Sequence, residues 1–181
     1  MPEDGARFNP FPDSHSQNVH HLYAADNFMA AALESVFHAV QHIPSPEYPR
    51  SQLKAWSYSE MELKKDVTIL ELTNPNLRQL SVPGRSTSLV EGELVHTEAD
   101  QYPNTRTWAR FLHSHVALLD GLAWRPRLGG QGTAYIFFGD QCKSTDFAIQ
   151  TGPIALDSGS GLARIKMVAA SANIRIIDSG V

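Results

Sequence analysis

The chain has 181 residues, of which 42% are hydrophobic and 19% are charged, and its formal net charge is -4 at pH 7. These values are ordinary for a soluble globular protein and provide no basic surface for nucleic acid. Apolar runs are too short for a membrane span, and Cys142, the only cysteine, excludes an intrachain disulfide. Residues 1–4 lack a secretory signal pattern, so we expect one cytoplasmic domain over residues 1–181, with no affinity of its own for nucleic acid or membrane.

The first predicted elements follow a loop-rich lead-in over residues 1–21, which is rich in Pro, Asn, Ser and His. Residues 22–25 are a short strand candidate, and Asp26 can cap the following helix by accepting a bond from an early backbone amide. Apolar residues at helical spacing give that helix a buried stripe: Met29, Leu33, Val36, Phe37 and Val40. We expect Pro44 and Pro46 to end the helix.

The next segments are shorter. Clustered β-branched and aromatic residues without a helical period predict strands over residues 52–58 and 67–72. A short helix is expected over Leu77 and Leu80, and residues 86–100 support no assignment.

The second half opens with a helix, because Pro103 suits a first helical turn. Its predicted buried face consists of Trp108, Phe111, Leu112 and Val116. Residues 121–124 and 133–138 are predicted to be neighbouring strands, joined by a glycine-rich turn at residues 129–132.

The last predicted elements are a short strand over residues 154–156, a helix and a closing strand over residues 174–177. The apolar positions of that helix are Leu162, Ile165, Val168 and Ala169. Strands and helices interleave without the strict alternation of a doubly wound sheet. We therefore predict a mixed α/β (α+β) fold with a central mixed β-sheet flanked by helices.

Three residues near the N-terminus suit an anionic, glycosidic ligand such as NAD. The Arg7 guanidinium can bind a pyrophosphate through paired hydrogen bonds, and the ring of Tyr23 offers a flat surface to a heterocycle. Glu34, at the border of the apolar stripe, can stabilise the cation that forms when a glycosidic bond breaks. A surface arginine, a core tyrosine and an exposed glutamate would look the same, so both interpretations stay open here.

The histidines offer a metal-binding alternative. Glu34, His38 and His42 recur every four residues on the predicted helix, and two histidines at this spacing can bind zinc. A zincin-type site needs Glu directly after the first His, where this chain has Ala39. The two histidines of residues 113–115 face different directions on a helix. We therefore predict no metal. A metal-dependent hydrolase is kept as a third hypothesis, after the two that are given at the end of this section.

Five segments in the expected order resemble one family. They are residues 5–10 (Gly-Ala-Arg-Phe-Asn-Pro), 22–38, 100–113, 120–140 and 156–159. With these segments the chain resembles the RES domain, whose name records a characteristic Arg, Glu and Ser.

The resemblance implies a toxin of a toxin–antitoxin module, with NAD as substrate, a fold related to ADP-ribosyltransferases and a partner antitoxin of the Xre/MbcA/ParS type. Some members degrade or phosphorolyse NAD, and others transfer ADP-ribose to a protein. The resemblance further implies that Arg7 binds the phosphates or ribose of NAD and that Tyr23 lines the nicotinamide side. Glu34 would hydrogen-bond the ribose and stabilise an oxocarbenium-like transition state. The remaining candidates for NAD binding are Asn9, Tyr102, Trp124 and Arg127.

Two departures from the family pattern bear on activity. The family Ser aligns with Pro126, which has neither a hydroxyl nor a backbone N–H to offer a ligand. The chain also begins close to Arg7, whereas family members usually have an upstream segment with a strand and a further arginine. Beside the NAD-consuming toxin we therefore keep a second hypothesis, a catalytically degenerate RES domain that acts as a binding or regulatory protein.

Overall fold

The computed structural model of the protein describes residues 6–8, 11–13, 15–40, 43–80, 91–97, 101–126 and 131–178. These residues form two compact units. The first unit takes its described residues from Met1–Ala24, Lys65–Arg125 and Thr133–Ser144, and the second from Ala25–Lys64, Pro126–Gly132 and Thr145–Val181. A single domain over residues 1–181 stays a prediction.

The described residues contain helices and strands in a mixed order. In chain order these are β1 His21–Ala25, α1 Phe28–Glu34, β2 Glu47–Pro49, β3 Ser57–Leu63, β4 Ile69–Glu71, α2 Asn74–Leu77, α3 Glu91–Leu94, α4 Tyr102–His115, β5 Gly121–Trp124, β6 Ala134–Phe138, β7 Phe147–Ala155, α5 Gly159–Ser171 and β8 Arg175–Ile177. No helix within the described ranges is both long and apolar enough to cross a membrane.

The first unit is built on a mixed sheet with the strand order β1-β6-β5-β4. Strand β4 is parallel to β5, with Leu70 opposite Leu122, and β5 is antiparallel to β6, with Leu122 opposite Ile136. Every residue of β5 is buried, which explains its continuous apolar run. Gly121 is required in this strand because a Cβ there would lie 2.1 Å from the carbonyl oxygen of Ile136. The two predicted neighbouring strands are thus confirmed as β5 and β6.

Helix α4 shares an apolar core with this sheet. Ala109 and Leu112 are buried on one helix face, in the same cluster as Leu122, Ile136 and Phe138 of the sheet. Full burial of an aliphatic or aromatic side chain stabilises a fold by about 1.5–3 kcal/mol. The predicted helix after residue 101 is therefore confirmed; of its predicted apolar residues Leu112 is buried, and Trp108, Phe111 and Val116, the last of which follows the helix, are partly buried against the same core.

The described residues of the second unit form two small sheets and two α-helices. Strand β2 is parallel to β8, with Tyr48 opposite Ile176, and β3 is antiparallel to β7. Phe37 and Ile165 are fully buried in a separate core to which α1 and α5 contribute. The predicted C-terminal helix and strand are confirmed as α5 and β8. The predicted class, mixed α/β with a central mixed sheet flanked by helices, is confirmed, and the likeness to ADP-ribosyltransferases stays a prediction.

Helix α1 is capped by a different residue from the one that the sequence indicates. Asn27 is the N-cap, and its Oδ1 accepts a hydrogen bond from Ala30 N–H at 2.9 Å. Its Nδ2 donates to Asp26 Oδ1 at 3.0 Å and to the carbonyl of Gln131 at 2.8 Å. The prediction that Asp26 caps the helix is wrong, because Asn27 occupies the N-cap position, where its amide accepts from the helix and also donates to a loop, which an ionised carboxylate cannot do.

The helix also ends earlier than predicted, at Glu34. The N–H and the hydroxyl of Ser35 both donate to the carbonyl of Ala31, at 3.0 and 2.6 Å, and turns follow. Three later members of the apolar stripe are nevertheless buried: Val36, Phe37 and Val40. Their apolar spacing therefore reflects burial of a turn-rich segment and not of a longer helix. Since the helix ends at Glu34, Pro44 and Pro46 are not what ends it.

The paired strands β3 and β7 differ most from the prediction. The predicted strand over residues 52–58 is wrong for most of its length, because Arg50–Ala55 forms a 3-10 helix and β3 begins at Ser57. Strand β7 begins at Phe147 instead of residue 154. Most side chains of both strands are exposed, so no apolar alternation marks them in the sequence.

Candidate functional site

The first unit brings together two of the predicted site residues, Arg7 and Tyr23. Arg7 is only 4% exposed, and its backbone carbonyl accepts a hydrogen bond from the Thr105 hydroxyl of α4. The next amide, Phe8 N–H, donates to the Tyr23 hydroxyl at 3.3 Å. Arginine and tyrosine are therefore linked through one peptide group.

Tyr23 presents a supported aromatic ring. It is 37% exposed, and its ring meets Trp124 nearly edge-on, with the centroids 6.2 Å apart. Trp124 is buried and also contacts Phe8, at a centroid distance of 5.1 Å. Such edge-to-face packing holds a ring in one orientation, so Tyr23 can offer a fixed surface to a heterocycle. Contact of Trp124 itself with NAD stays a prediction.

Thr105 is a residue that the sequence reasoning missed. It is fully buried, and its Oγ1 also lies 3.0 Å from the carbonyl of Tyr102, the half-buried residue that begins α4. The signal was present, since Thr105 lies on the same helix face as the buried Ala109. A hydroxyl on the buried face of a helix needs a hydrogen-bond partner.

Glu34 lies at the end of α1, in the second unit. Its side chain is 10% exposed, and Oε2 is 3.3 Å from Nδ1 of His38. The two residues therefore meet, although His38 lies beyond the end of the helix on which it was predicted. Convergence of Glu34 with Arg7 and Tyr23 on one cleft stays a prediction.

Three candidates, Asn9, Arg127 and His42, lie outside the described residues, as do residues 129–130 of the predicted turn. Pro126, which the resemblance places at the position of the family Ser, is described and buried. A proline there supplies no hydrogen-bond donor to a ligand.

A second polar cluster in the first unit joins residues that are distant in sequence. His113 Nε2 lies 2.9 Å from Asp140 Oδ2, which connects α4 to the turn after β6. Next to them, the His21 ring packs edge-on against Phe11 and Phe138, with centroids 4.8 and 5.7 Å away. Burial, with a smaller effect of His113, lowers the pKa of His21 to about 4, so this ring is neutral at pH 7.

Asp120 organises a third polar cluster around the cysteine. The Cys142 Sγ is buried and lies 3.6 Å from Asp120 Oδ1, which also accepts a hydrogen bond from Lys65 Nζ at 3.0 Å. Burial acts to raise the pKa of Asp120, but hydrogen bonds from Thr68 N–H and Lys65 outweigh it and lower the pKa overall. Cys142 is therefore a buried residue whose thiol is hydrogen-bonded to Asp120. Within the described ranges, no group of three or more His, Cys, Asp and Glu side chains is arranged to hold a metal ion.

Comparison with known proteins identifies one family. A family model described as RES domain matches residues 2–157. No curated protein and no solved structure matches the chain. The matched range includes the candidate site residues Arg7, Tyr23, Glu34 and Thr105.

Proposed function

The chain belongs to the RES domain family, and from this we propose that it is the NAD-consuming toxin of a toxin–antitoxin module. In the proposed reaction, the bond between ribose C1′ and the nicotinamide nitrogen breaks, and nicotinamide leaves with the bonding electron pair. An acceptor oxygen from water, phosphate or a protein side chain then bonds to C1′ and releases its proton. A cognate antitoxin of the Xre/MbcA/ParS type neutralises the toxin.

The observation that supports this proposal best is a buried arginine beside a partly exposed tyrosine ring. A guanidinium stays charged when it is buried and can bond two phosphate oxygens at once. Arg7 therefore suits the pyrophosphate of NAD, and Tyr23 suits the flat nicotinamide ring. The hydrogen bond from Phe8 N–H to the Tyr23 hydroxyl ties the backbone next to Arg7 to this tyrosine.

Glu34 supplies the negative charge that the reaction requires. As the bond to nicotinamide lengthens, the ribose gains oxocarbenium character, which a nearby carboxylate stabilises. The small exposure of Glu34 excludes most water and strengthens this interaction. His38 contacts the carboxylate at 3.3 Å and restricts its orientation.

A second function, from a different class, is favoured by Pro126. The buried proline replaces the family Ser, so any ligand hydrogen bond from that hydroxyl is lost. A domain without turnover would still keep the arginine and tyrosine that bind NAD. It would then act as a binding or regulatory protein.

The experiment that separates the two functions follows nicotinamide release from NAD, with and without phosphate. The variant Glu34→Gln keeps the side-chain shape and removes the charge, and we expect a loss in rate of about 100-fold or more. Glu62→Gln is the matched control, because Glu62 is an exposed glutamate of the same unit that accepts a bond from Gln150 at 2.7 Å. We expect this control to release nicotinamide at the parent rate.

Each outcome leads to a different conclusion. Release by the parent and the Glu62 control but not by the Glu34 variant supports the enzyme. Equal release by all three proteins would remove Glu34 from the mechanism. No release by a folded parent that binds NAD would favour the degenerate domain. Identification of the second product as ADP-ribose, ADP-ribose phosphate or labelled protein then assigns the acceptor.

A further inference from the structure

The peptide group between Arg7 and Phe8 is held at both of its polar atoms. Its carbonyl oxygen accepts a hydrogen bond from the Thr105 hydroxyl, and its N–H donates to the Tyr23 hydroxyl at 3.3 Å. One partner comes from α4 and the other from β1. A peptide group is planar, and its plane includes the Cα of Arg7. Two such bonds fix the orientation of this plane and so restrict the direction in which the arginine side chain leaves its Cα.

Burial makes the bond from Thr105 hard to replace. Thr105 and Phe8 are fully buried and Arg7 is 4% exposed, so water has little access to the carbonyl. A hydroxyl carries one donor hydrogen, and Thr105 Oγ1 has two carbonyls in reach, those of Arg7 and Tyr102. The carbonyl of Arg7 belongs to a loop and needs a partner from outside the loop.

From this geometry we infer that Thr105 is a positioning residue, whose hydroxyl orients Arg7 for the anionic part of the ligand. The inference rests on the proposed function, in which Arg7 binds the pyrophosphate of NAD. Thr105 acts through the backbone of Arg7 and touches no reacting atom. Its loss should therefore weaken NAD binding more than it slows the chemical step.

The test compares two valine substitutions on the same helix. Thr105→Val keeps the shape of the side chain and removes the hydroxyl. Thr107→Val is the matched control, because the exposed Thr107 hydroxyl donates to the carbonyl of Pro103 in its own helix, at 3.0 Å. Thr105→Ser restores the hydroxyl without the methyl group and serves as the rescue variant.

Two measurements are made on each protein. The first is KM for NAD, which we expect Thr105→Val to raise about tenfold with little change in kcat, from the loss of one buried hydrogen bond. The second is amide hydrogen exchange at Phe8, which should be faster in Thr105→Val because the peptide group has lost one of its two restraints. The Thr107 control should match the parent in both, and Thr105→Ser should recover most of the difference.

The outcomes separate this inference from the proposed function. Unchanged exchange at Phe8 in a folded Thr105→Val protein overturns the inference, and so does a KM equal to that of the parent. The same change in both valine variants would also overturn it, since of the two threonines Thr105 bonds Arg7 and Thr107 bonds its own helix. A parent without activity on NAD refutes the proposed enzyme, and the Kd for NAD then takes the place of KM beside the exchange measurement, so that an unchanged Kd in Thr105→Val still overturns the inference.

Discussion

The buried ring of His21 should make the stability of the protein depend on pH. Both ring nitrogens are buried, and the ring packs against Phe11 and Phe138. Burial is the main cause that lowers the pKa of His21 from 6.5 to about 4, the charges of His113 and His20 add to it, and Asp140 opposes it. His21 therefore binds a proton more weakly in the folded protein than in the unfolded chain.

The sign of the effect follows from proton linkage. Between pH 6.5 and about 4 the unfolded chain binds more protons at this site than the folded protein, so stability falls as the pH falls through this window. One pKa unit corresponds to about 1.4 kcal/mol, so the whole shift corresponds to about 3 kcal/mol. Because the residue is partly exposed, solvent screens part of this, and we expect a loss on the order of 1–2 kcal/mol.

The assay is urea unfolding at several pH values from 7 to 4 for the parent and for His21→Phe. Phenylalanine suits the aromatic surroundings and cannot titrate, so the variant should lose less free energy of unfolding across this range. His15→Phe is the control, because the His15 side chain is 85% exposed. It should lose as much free energy of unfolding between pH 7 and 4 as the parent does. The reasoning is refuted if the parent and His21→Phe lose the same free energy of unfolding between pH 6.5 and 4.

Two further substitutions test the site and the fold. If the missing family hydroxyl limits turnover, Pro126→Ser should raise nicotinamide release by a factor that corresponds to about 1 kcal/mol, and a fully active parent with no gain in the variant would contradict this. Asn27→Ala removes the observed cap and should lower the free energy of unfolding by about 1 kcal/mol, whereas Asp26→Ala should cost less. Thermal unfolding of the two cap variants checks the order, and a larger loss for Asp26→Ala would mean that the cap is assigned to the wrong residue.

The family segments and the elements with a clear apolar pattern could be predicted from the sequence. Strand β5 is buried on both faces and α4 on one, so each leaves a pattern of apolar residues along the chain. For the candidate site, the sequence contained the residue types of Arg7, Tyr23 and Glu34 and their order in the family segments, whereas the ligand that they bind stays a prediction. These properties depend on local composition and spacing, which a sequence contains directly.

Other features were decided only by the tertiary structure, because they depend on contacts between distant residues. Strands β3 and β7 expose most of their side chains and are held by hydrogen bonds to each other, so no periodicity marks them. The choice of Asn27 over Asp26 as helix cap depends on a loop carbonyl 104 residues away. The bond that orients Arg7 comes from a threonine 98 residues along the chain. A hydroxyl or an amide in a sequence shows what it can bond to, but its actual partner is determined by which backbone groups folding brings within reach.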